Sequence, residues 1–224
     1  MRTVVLFSGG LDSTTVLAMV IARGDEVYPL TIGYGQRHRV EIEKGRRILH
    51  AYGLSGRARE LTIDLSFLAS SSLTNTGLAV PDTAATAIPN TYVPARNLLF
   101  LSLAAAYAED IGATRIAIGV NALDYSGYPD CRPAFIESFN RTLALGTKTG
   151  SDGAGILIEA PLIDLSKKDI VRLGRGLGID HALTHSCYDP DSDGRACGVC
   201  DSCRLRLKGF AEAGLTDPAP YANR

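Results

Sequence analysis

At 224 residues with 46% apolar side chains, the chain is long enough to bury one sizeable α/β core with a small appendage. A formal net charge of −1 excludes the general attraction that draws strongly basic proteins to nucleic acid or anionic membranes. No apolar run reaches span length and no secretory-signal pattern opens the chain, so a cytoplasmic location is the expectation.

The first strand is predicted from Thr3-Val4-Val5-Leu6-Phe7, a β-rich apolar run. It ends in Ser8-Gly9-Gly10-Leu11-Asp12-Ser13-Thr14-Thr15, after which Val16, Leu17, Val20 and Ile21 recur at helical spacing. A strand, a tight glycine turn and a helix N-terminus build an anion site from free backbone amides and the positive dipole end. Ser8, Ser13 and Thr14 add hydroxyl donors. The stretch has neither the Gly-Lys-Ser/Thr end of a Walker loop nor the spacing of a dinucleotide fingerprint.

A second strand is predicted over 26–32, making a βαβ start and a parallel sheet. It runs into Gly33-Tyr34-Gly35-Gln36-Arg37-His38, at a carboxyl edge where ligands collect, so Arg37 and His38 are candidate contacts. A helix follows over 39–52, stopped by Gly53, then a strand over 59–65. Residues 66–94 are rich in Ser, Thr, Asn, Ala and Pro. They read as a long loop over the carboxyl edge, either an active-site lid or a partly mobile segment.

Helix 97–110 is apolar on most sides and reads as buried, and 115–120 reads as a buried strand. Phe135, Phe139 and Leu143 fall four apart on a helix after Pro133. A glycine-rich connecting loop is expected over 146–155 and a short strand over 156–160. Ser166 and Asp169 resemble a capping box opening a helix to Leu177, and a last helix is predicted over 201–213.

Cys187, Cys197, Cys200 and Cys203 crowd near the C-terminus, the last three as overlapping C-x-x-C units. Four thiolates on a turn and a helix start can converge on a tetrahedron, the closed geometry of structural zinc. A redox pair would use two cysteines, whereas an iron–sulfur cluster also accepts such spacing. Arg195, Arg204 and Arg206 are expected to soften the charge of the site. Between Asp124 and Arg132, Asp124 and Asp130 can accept from a purine-like base while Tyr125 or Tyr128 stacks on it. Cys131 has no evident base partner and reads as a buried, supporting thiol.

SGGLDSTT, YGQRH, VPARN, DYSGYPDCR, PLIDLSK and SCYDPDSDGRACGVCDSCRLR occur together in this order. The set resembles the QueC (ExsB-type) family of 7-cyano-7-deazaguanine synthases, a branch of the PP-loop ATP pyrophosphatase superfamily. Two departures stand out: Ala95 where that family commonly has glycine, and His185 where a tryptophan often precedes Ser-Cys-Tyr.

The resemblance implies a Rossmann-like parallel sheet flanked by helices (adenine nucleotide alpha hydrolase-like) over 1–180, with a zinc-binding segment over 181–224 packed on it. It implies ATP, Mg2+ and Zn2+ as cofactors and 7-carboxy-7-deazaguanine and ammonia as substrates, with no nucleic-acid or membrane partner. A homodimer is implied only because members of the family often pair.

By the same resemblance, Ser8, Gly9, Gly10, Leu11, Asp12, Ser13 and Thr14 hold the nucleotide. Asp12, Arg96 and Lys167 serve catalysis, Arg96 and Lys167 by neutralising developing negative charge. Asp124, Tyr128, Asp130 and Arg132 hold the deazaguanine, and the four cysteines hold zinc. The alternatives are another PP-loop enzyme (a tRNA thiolase or a carboxylate amidase) and a non-catalytic adenine-nucleotide sensor. An RNA-binding extension would mark a tRNA enzyme. A sensor would bind ATP without pyrophosphate exchange.

Overall fold

The computed structural model describes residues 1–37, 40–82, 88–122 and 128–222. Strand β1 (Arg2–Leu6) is the centre of a parallel sheet of order β3-β2-β1-β4-β5. The others are β2 (Glu26–Gly33), β3 (Arg59–Thr62), β4 (Arg115–Ala117) and β5 (Leu157–Glu159). Helix α1 (Leu11–Ala22) joins β1 to β2, and α2 (Val40–Ala51) joins β2 to β3. Helix α3 (Arg96–Asp110) precedes β4, and α4 (Pro133–Gly146) and α5 (Lys148–Ser151) lie between β4 and β5. Helices α6 (Lys167–Gly176) and α7 (Asp201–Glu212) complete the chain.

The period of two along β1 divides the core. Val4 and Leu6 pack with Leu101, Ala104 and Ala108 of α3 on one face. Val5 and Phe7 pack with Val16, Leu17 and Val20 of α1 and Phe210 of α7 on the other. Helices cover both faces, which is why the strands read as continuous apolar runs. The order steps outward from β1 in both directions, so a crevice opens at the carboxyl ends of β1 and β4.

Three expectations shift. The strands predicted over 59–65 and 115–120 end at Thr62 and Ala117, and past the latter Ile118, Gly119 and Val120 line the crevice. Just past β4, the Asn121 amide turns inward to the carbonyls of Leu162 and Leu165. The loop predicted over 146–155 contains α5, because Thr147 accepts the Gly150 N–H at 3.0 Å and Glu109 accepts that of Thr149 at 2.9 Å. The described part of 66–94 has no regular helix or strand but is packed rather than loose. Ser71, Ser72, Leu73 and Val93 are buried, the last two against Tyr34 and Leu65. The predicted α6 cap is present: Ser166 Oγ accepts from Asp169 N at 3.2 Å. Among the described residues no helix is long and apolar enough to cross a membrane.

The C-terminal segment is pinned by a buried ion pair. Arg206 and Asp217 are 3% and 2% exposed, joined at 2.7 and 2.9 Å, and Tyr221 donates its hydroxyl to Asp217 at 2.7 Å. Arg206 also donates to Thr184 Oγ1 and His181 O. Arg206→Ala, which strands a buried carboxylate, is expected to cost about 3–5 kcal/mol in a urea melt at neutral pH. Burial alone would raise the Asp217 pKa, but the bonds from Arg206 and Tyr221 hold it below the ordinary value. Its stabilisation is therefore full above the unfolded value, about 4, and is lost as pH falls through the lower folded value. A deficit in the variant that stayed constant into that acid range would contradict the pairing.

Candidate active site

The turn after β1 is held by its own hydroxyls and by two distant segments. Ser8 Oγ and Ser13 Oγ lie 3.1 Å apart, and Ser13 Oγ donates to Gly10 O at 3.3 Å. Thr14 N is the first amide to bond back, to Gly10 O at 3.0 Å. The amides of Leu11, Asp12 and Ser13 thus precede the helical ladder and form the anion-binding end of α1. Gly9 has φ +82°, and a Cβ there would meet Glu41 O and Gly45 Cα of α2 at 2.8 Å. From the C-terminal side, His185 N donates to Gly9 O at 3.0 Å.

A cavity of about 310 Å3 lies beside this turn. Ser8, Gly10, Leu11, Asp12 and Ser13 line it with Arg96, Tyr128 and Lys167. Lys167 Nζ, from the first turn of α6, donates to both Asp12 oxygens at 2.9 and 2.8 Å. The residues are 155 positions apart in sequence. Helix α7 supports that lysine closely: a Cβ on Gly209 would stand 2.6 Å from Lys167 Cγ.

Arg96, the first residue of α3, lies over the rings of Tyr34 and Phe100 and donates to the Tyr34 hydroxyl at 3.4 Å. Ala95 before it has φ +55°, the left-handed value for which glycine is the easier residue, at a cost of about 1–2 kcal/mol. Its N–H donates to the Tyr92 hydroxyl at 3.2 Å.

The other expected site residues divide: Tyr128 and Arg37 line the cavity, whereas Asp130, Arg132 and Thr14 do not. Asp130 is buried, with Oδ2 accepting the Asn97 N–H at 3.0 Å in the first turn of α3. Arg132 is exposed at the start of α4 and does not line the cavity. Tyr128 is buried, its hydroxyl 2.9 Å from Thr91 Oγ1 and its ring 5.2 Å from that of Tyr92. Thr14 is 1% exposed, with a buried hydroxyl that lacks a partner among the described residues, and it does not line the cavity. Arg37 donates to the carbonyls of Leu78 and Thr76, which ties down the long loop. Asp124 and His38 lie outside the described residues.

Cys131 lines the cavity, accepts from Asn97 Nδ2 at 3.4 Å, and has its pKa pushed up to about 11 by burial and by Asp130. It is a protonated thiol at neutral pH, in keeping with a supporting role. Residues given no individual role from the sequence also line the cavity: Gln36, Glu41 and Asn97 beside the anion turn, and His185 and Tyr188 from the C-terminal segment. Burial, Lys44 and Arg206 push the His185 pKa down to about 4, so the ring is neutral.

The sulfurs of Cys187, Cys197, Cys200 and Cys203 lie within 4.8 Å of one another, all buried. A tetrahedral ion with about 2.3 Å metal–sulfur bonds sets sulfurs about 3.8 Å apart. Cys197 and Cys203 Sγ are 3.9 Å apart. Cys187 Sγ accepts the N–H groups of Asp189 and Cys197, and Cys197 Sγ those of Val199 and Cys200, at 3.2–3.4 Å. Such donors suit thiolate ligands, so the set fits a metal ion. The nearby arginines do not serve as free counter-charges: Arg195 pairs with Asp191, Arg204 with Asp201 and Arg206 with Asp217.

A parallel sheet with an open-amide turn at its switch point, facing a lysine–aspartate pair, defines a PP-loop protein of the adenine nucleotide alpha hydrolase class. Within that class the chain belongs to the QueC family, described as queuosine biosynthesis protein QueC, which matches residues 2–214. A 7-cyano-7-deazaguanine synthase of Myxococcus xanthus (strain DK1622) is 56% identical over 225 residues, covering 98% of this chain and 97% of that one. One of Pseudomonas syringae pv. tomato (strain ATCC BAA-871 / DC3000) is 53% identical over 220 residues, again 98% and 97%. A crystal structure of a 4-thiouridine synthetase with RNA and bound ATP shares the fold at a TM-score of 0.51 and 18% identity. It covers 98% of this chain, which spans 47% of that one.

Proposed function

We propose that the chain converts 7-carboxy-7-deazaguanine and ammonia to 7-cyano-7-deazaguanine at the expense of ATP. The observation that carries this reading is the open-amide turn at Gly10–Ser13 facing Lys167 and Arg96 across one cavity. A carboxylate is a poor electrophile, and transfer of AMP to it releases pyrophosphate, whose charge the turn amides and these two cations neutralise. Ammonia displaces AMP to give the amide, and a second adenylation on the amide oxygen lets that oxygen leave with AMP as the nitrogen gives up its proton, which forms the nitrile. Asp12 would hold Mg2+, which when bound neutralises phosphate charge. Tyr128 supports one wall for the deazapurine. Asp130 acts through α3, holding the turn that presents Arg96.

The metal is zinc in this reading, because four buried thiolates leave no open position and suit a structural ion. It braces residues 181–224 against the domain of residues 1–180. The four gathered thiols leave only Cys131 for sulfur transfer, so the thiolase alternative has no catalytic pair. We place the reaction in the cytoplasm, where free thiols persist; all five cysteines are unbridged.

Incubation with ATP, Mg2+, ammonium and the carboxylic acid is expected to give the nitrile by mass, with AMP and pyrophosphate. Formation of ADP alone would sink the proposal. Asp12→Ala is expected to lower turnover by about 100-fold or more with an unchanged far-UV spectrum. An unchanged rate would remove the turn from the mechanism.

A further inference from the structure

Ammonia at neutral pH is mostly ammonium, which has no lone pair for attack, so an ammonia-dependent site needs a proton acceptor beside the activated carbon. Two carboxylates line the cavity among the described residues, Asp12 and Glu41. Both oxygens of Asp12 are taken by the Lys167 ammonium. Asp130 is committed to the Asn97 N–H, and Cys131 is a protonated thiol. Glu41 remains.

Glu41 sits in the first turn of α2, where its own carbonyl abuts Gly9, so it is fixed to the anion turn through the backbone. Its side chain is held from one side only. Tyr34 N donates to Gln36 Oε1 at 2.8 Å, and Gln36 Nε2 donates to Glu41 Oε1 at 3.0 Å. Among the described residues, the one side-chain hydrogen bond to the Glu41 carboxylate is to Oε1, which leaves Oε2 open.

The geometry points to Glu41 as the base that takes a proton from ammonium and releases ammonia onto the activated carboxyl carbon. This rests on the function proposed above. Ammonium gives its proton to Glu41 Oε2. The nitrogen lone pair then forms the C–N bond as the C–O bond to AMP breaks, and AMP leaves with that electron pair. The nitrogen sheds its surplus proton to solvent, as Glu41 does before the next cycle.

Burial raises the Glu41 pKa above the ordinary carboxylate value, partly opposed by the Gln36 bond and the charge of Arg96, so its basicity moves toward neutral pH. Among the described residues, the groups around it are Arg96 from α3, and Tyr34 and Arg37 from the loop after β2. Lys44, one turn along α2, is turned to His185 Nδ1 and Gly194 O. Arg37 is turned to the carbonyls of Leu78 and Thr76.

The test compares half-reactions of the full chain. Glu41→Gln is expected to keep acid-dependent ATP–pyrophosphate exchange within about twofold while nitrile formation from ammonium falls about 100-fold or more at neutral pH. Two further readouts separate a base from a structural residue. The deficit shrinks as pH rises and free ammonia accumulates, and hydroxylamine, neutral at pH 7, is converted to the hydroxamate at the parental rate. An unchanged ammonium rate, or loss of exchange in a variant with native melting, overturns the proposal. Should Glu41→Gln not fold, Gln36→Met decides: loss of the amide donor raises the carboxyl pKa, so the acid limb of turnover moves to higher pH. A limb that stays in place also overturns it. If the parent chain shows no exchange with the acid, the functional reading fails first, and that result is distinct from every outcome above.

Discussion

Gly9→Ala is expected to abolish acid-dependent pyrophosphate exchange and to lower the melting temperature by roughly 5–20 °C. Two costs combine at this position. An alanine at φ +82° occupies the left-handed region, at about 1–2 kcal/mol. Its methyl would also lie 2.8 Å from Glu41 O and Gly45 Cα, backbone atoms of a helix that cannot swing aside, and overpacking of this kind costs about 1–3 kcal/mol. Relief requires the turn and α2 to part, which misplaces the amides of Leu11, Asp12 and Ser13. Gly24→Ala is the matched control. Its φ is +83° with nothing within 4 Å of the added Cβ, so only the conformational cost applies and exchange stays intact. Equal effects of the two substitutions would show that the contact between the turn and α2 is unimportant.

Cys200→Ser is expected to lose the bound metal and unfold the C-terminal segment. Metal binding and folding are coupled, with structural zinc contributing on the order of 10 kcal/mol in isolated peptides. Without an ion, the local cluster offers little beyond the cysteines themselves: Ala196, Val80, Tyr188 and Tyr221. Phe210 keeps a foothold in the main core, so the loss in the whole chain is expected to be several kcal/mol rather than the full peptide value. Activity is expected to fall as well, although the proposed function gives the ion no chemistry. His185 N would release Gly9 O, and α7 would no longer support Lys167 opposite Asp12. Elemental analysis and amide exchange over 187–221 read this directly. A variant with full metal content and native protection would refute the assignment of the four ligands.

Much of the site was legible because its signals are local. A strand, two glycines, hydroxyls and a helix start lie within about a dozen residues, and the metal ligands announce themselves by their spacing. The α6 cap was readable for the same reason, since Ser166 and Asp169 are neighbours on one turn. Isolated charged residues were legible only in part. Arg96, Lys167 and Arg37 do line the cavity, although Arg37 also ties down a loop, whereas Asp130 holds the first turn of α3 instead. Glu41 carried no signal of its own, and the contact of α2 with Gly9 brings it to the cavity.

By itself the sequence determined the parallel α/β class, the anion turn and the four-cysteine centre, since each is written in residues close enough to interact through the backbone they share. Only the tertiary structure decided which charges face one another. The Asp12–Lys167 pair, the Gln36–Glu41 bond and the Arg206–Asp217 bond follow from how helices pack against the sheet and each other. The physical reason is that a charge takes its role from its dielectric surroundings and its partners, and packing supplies both.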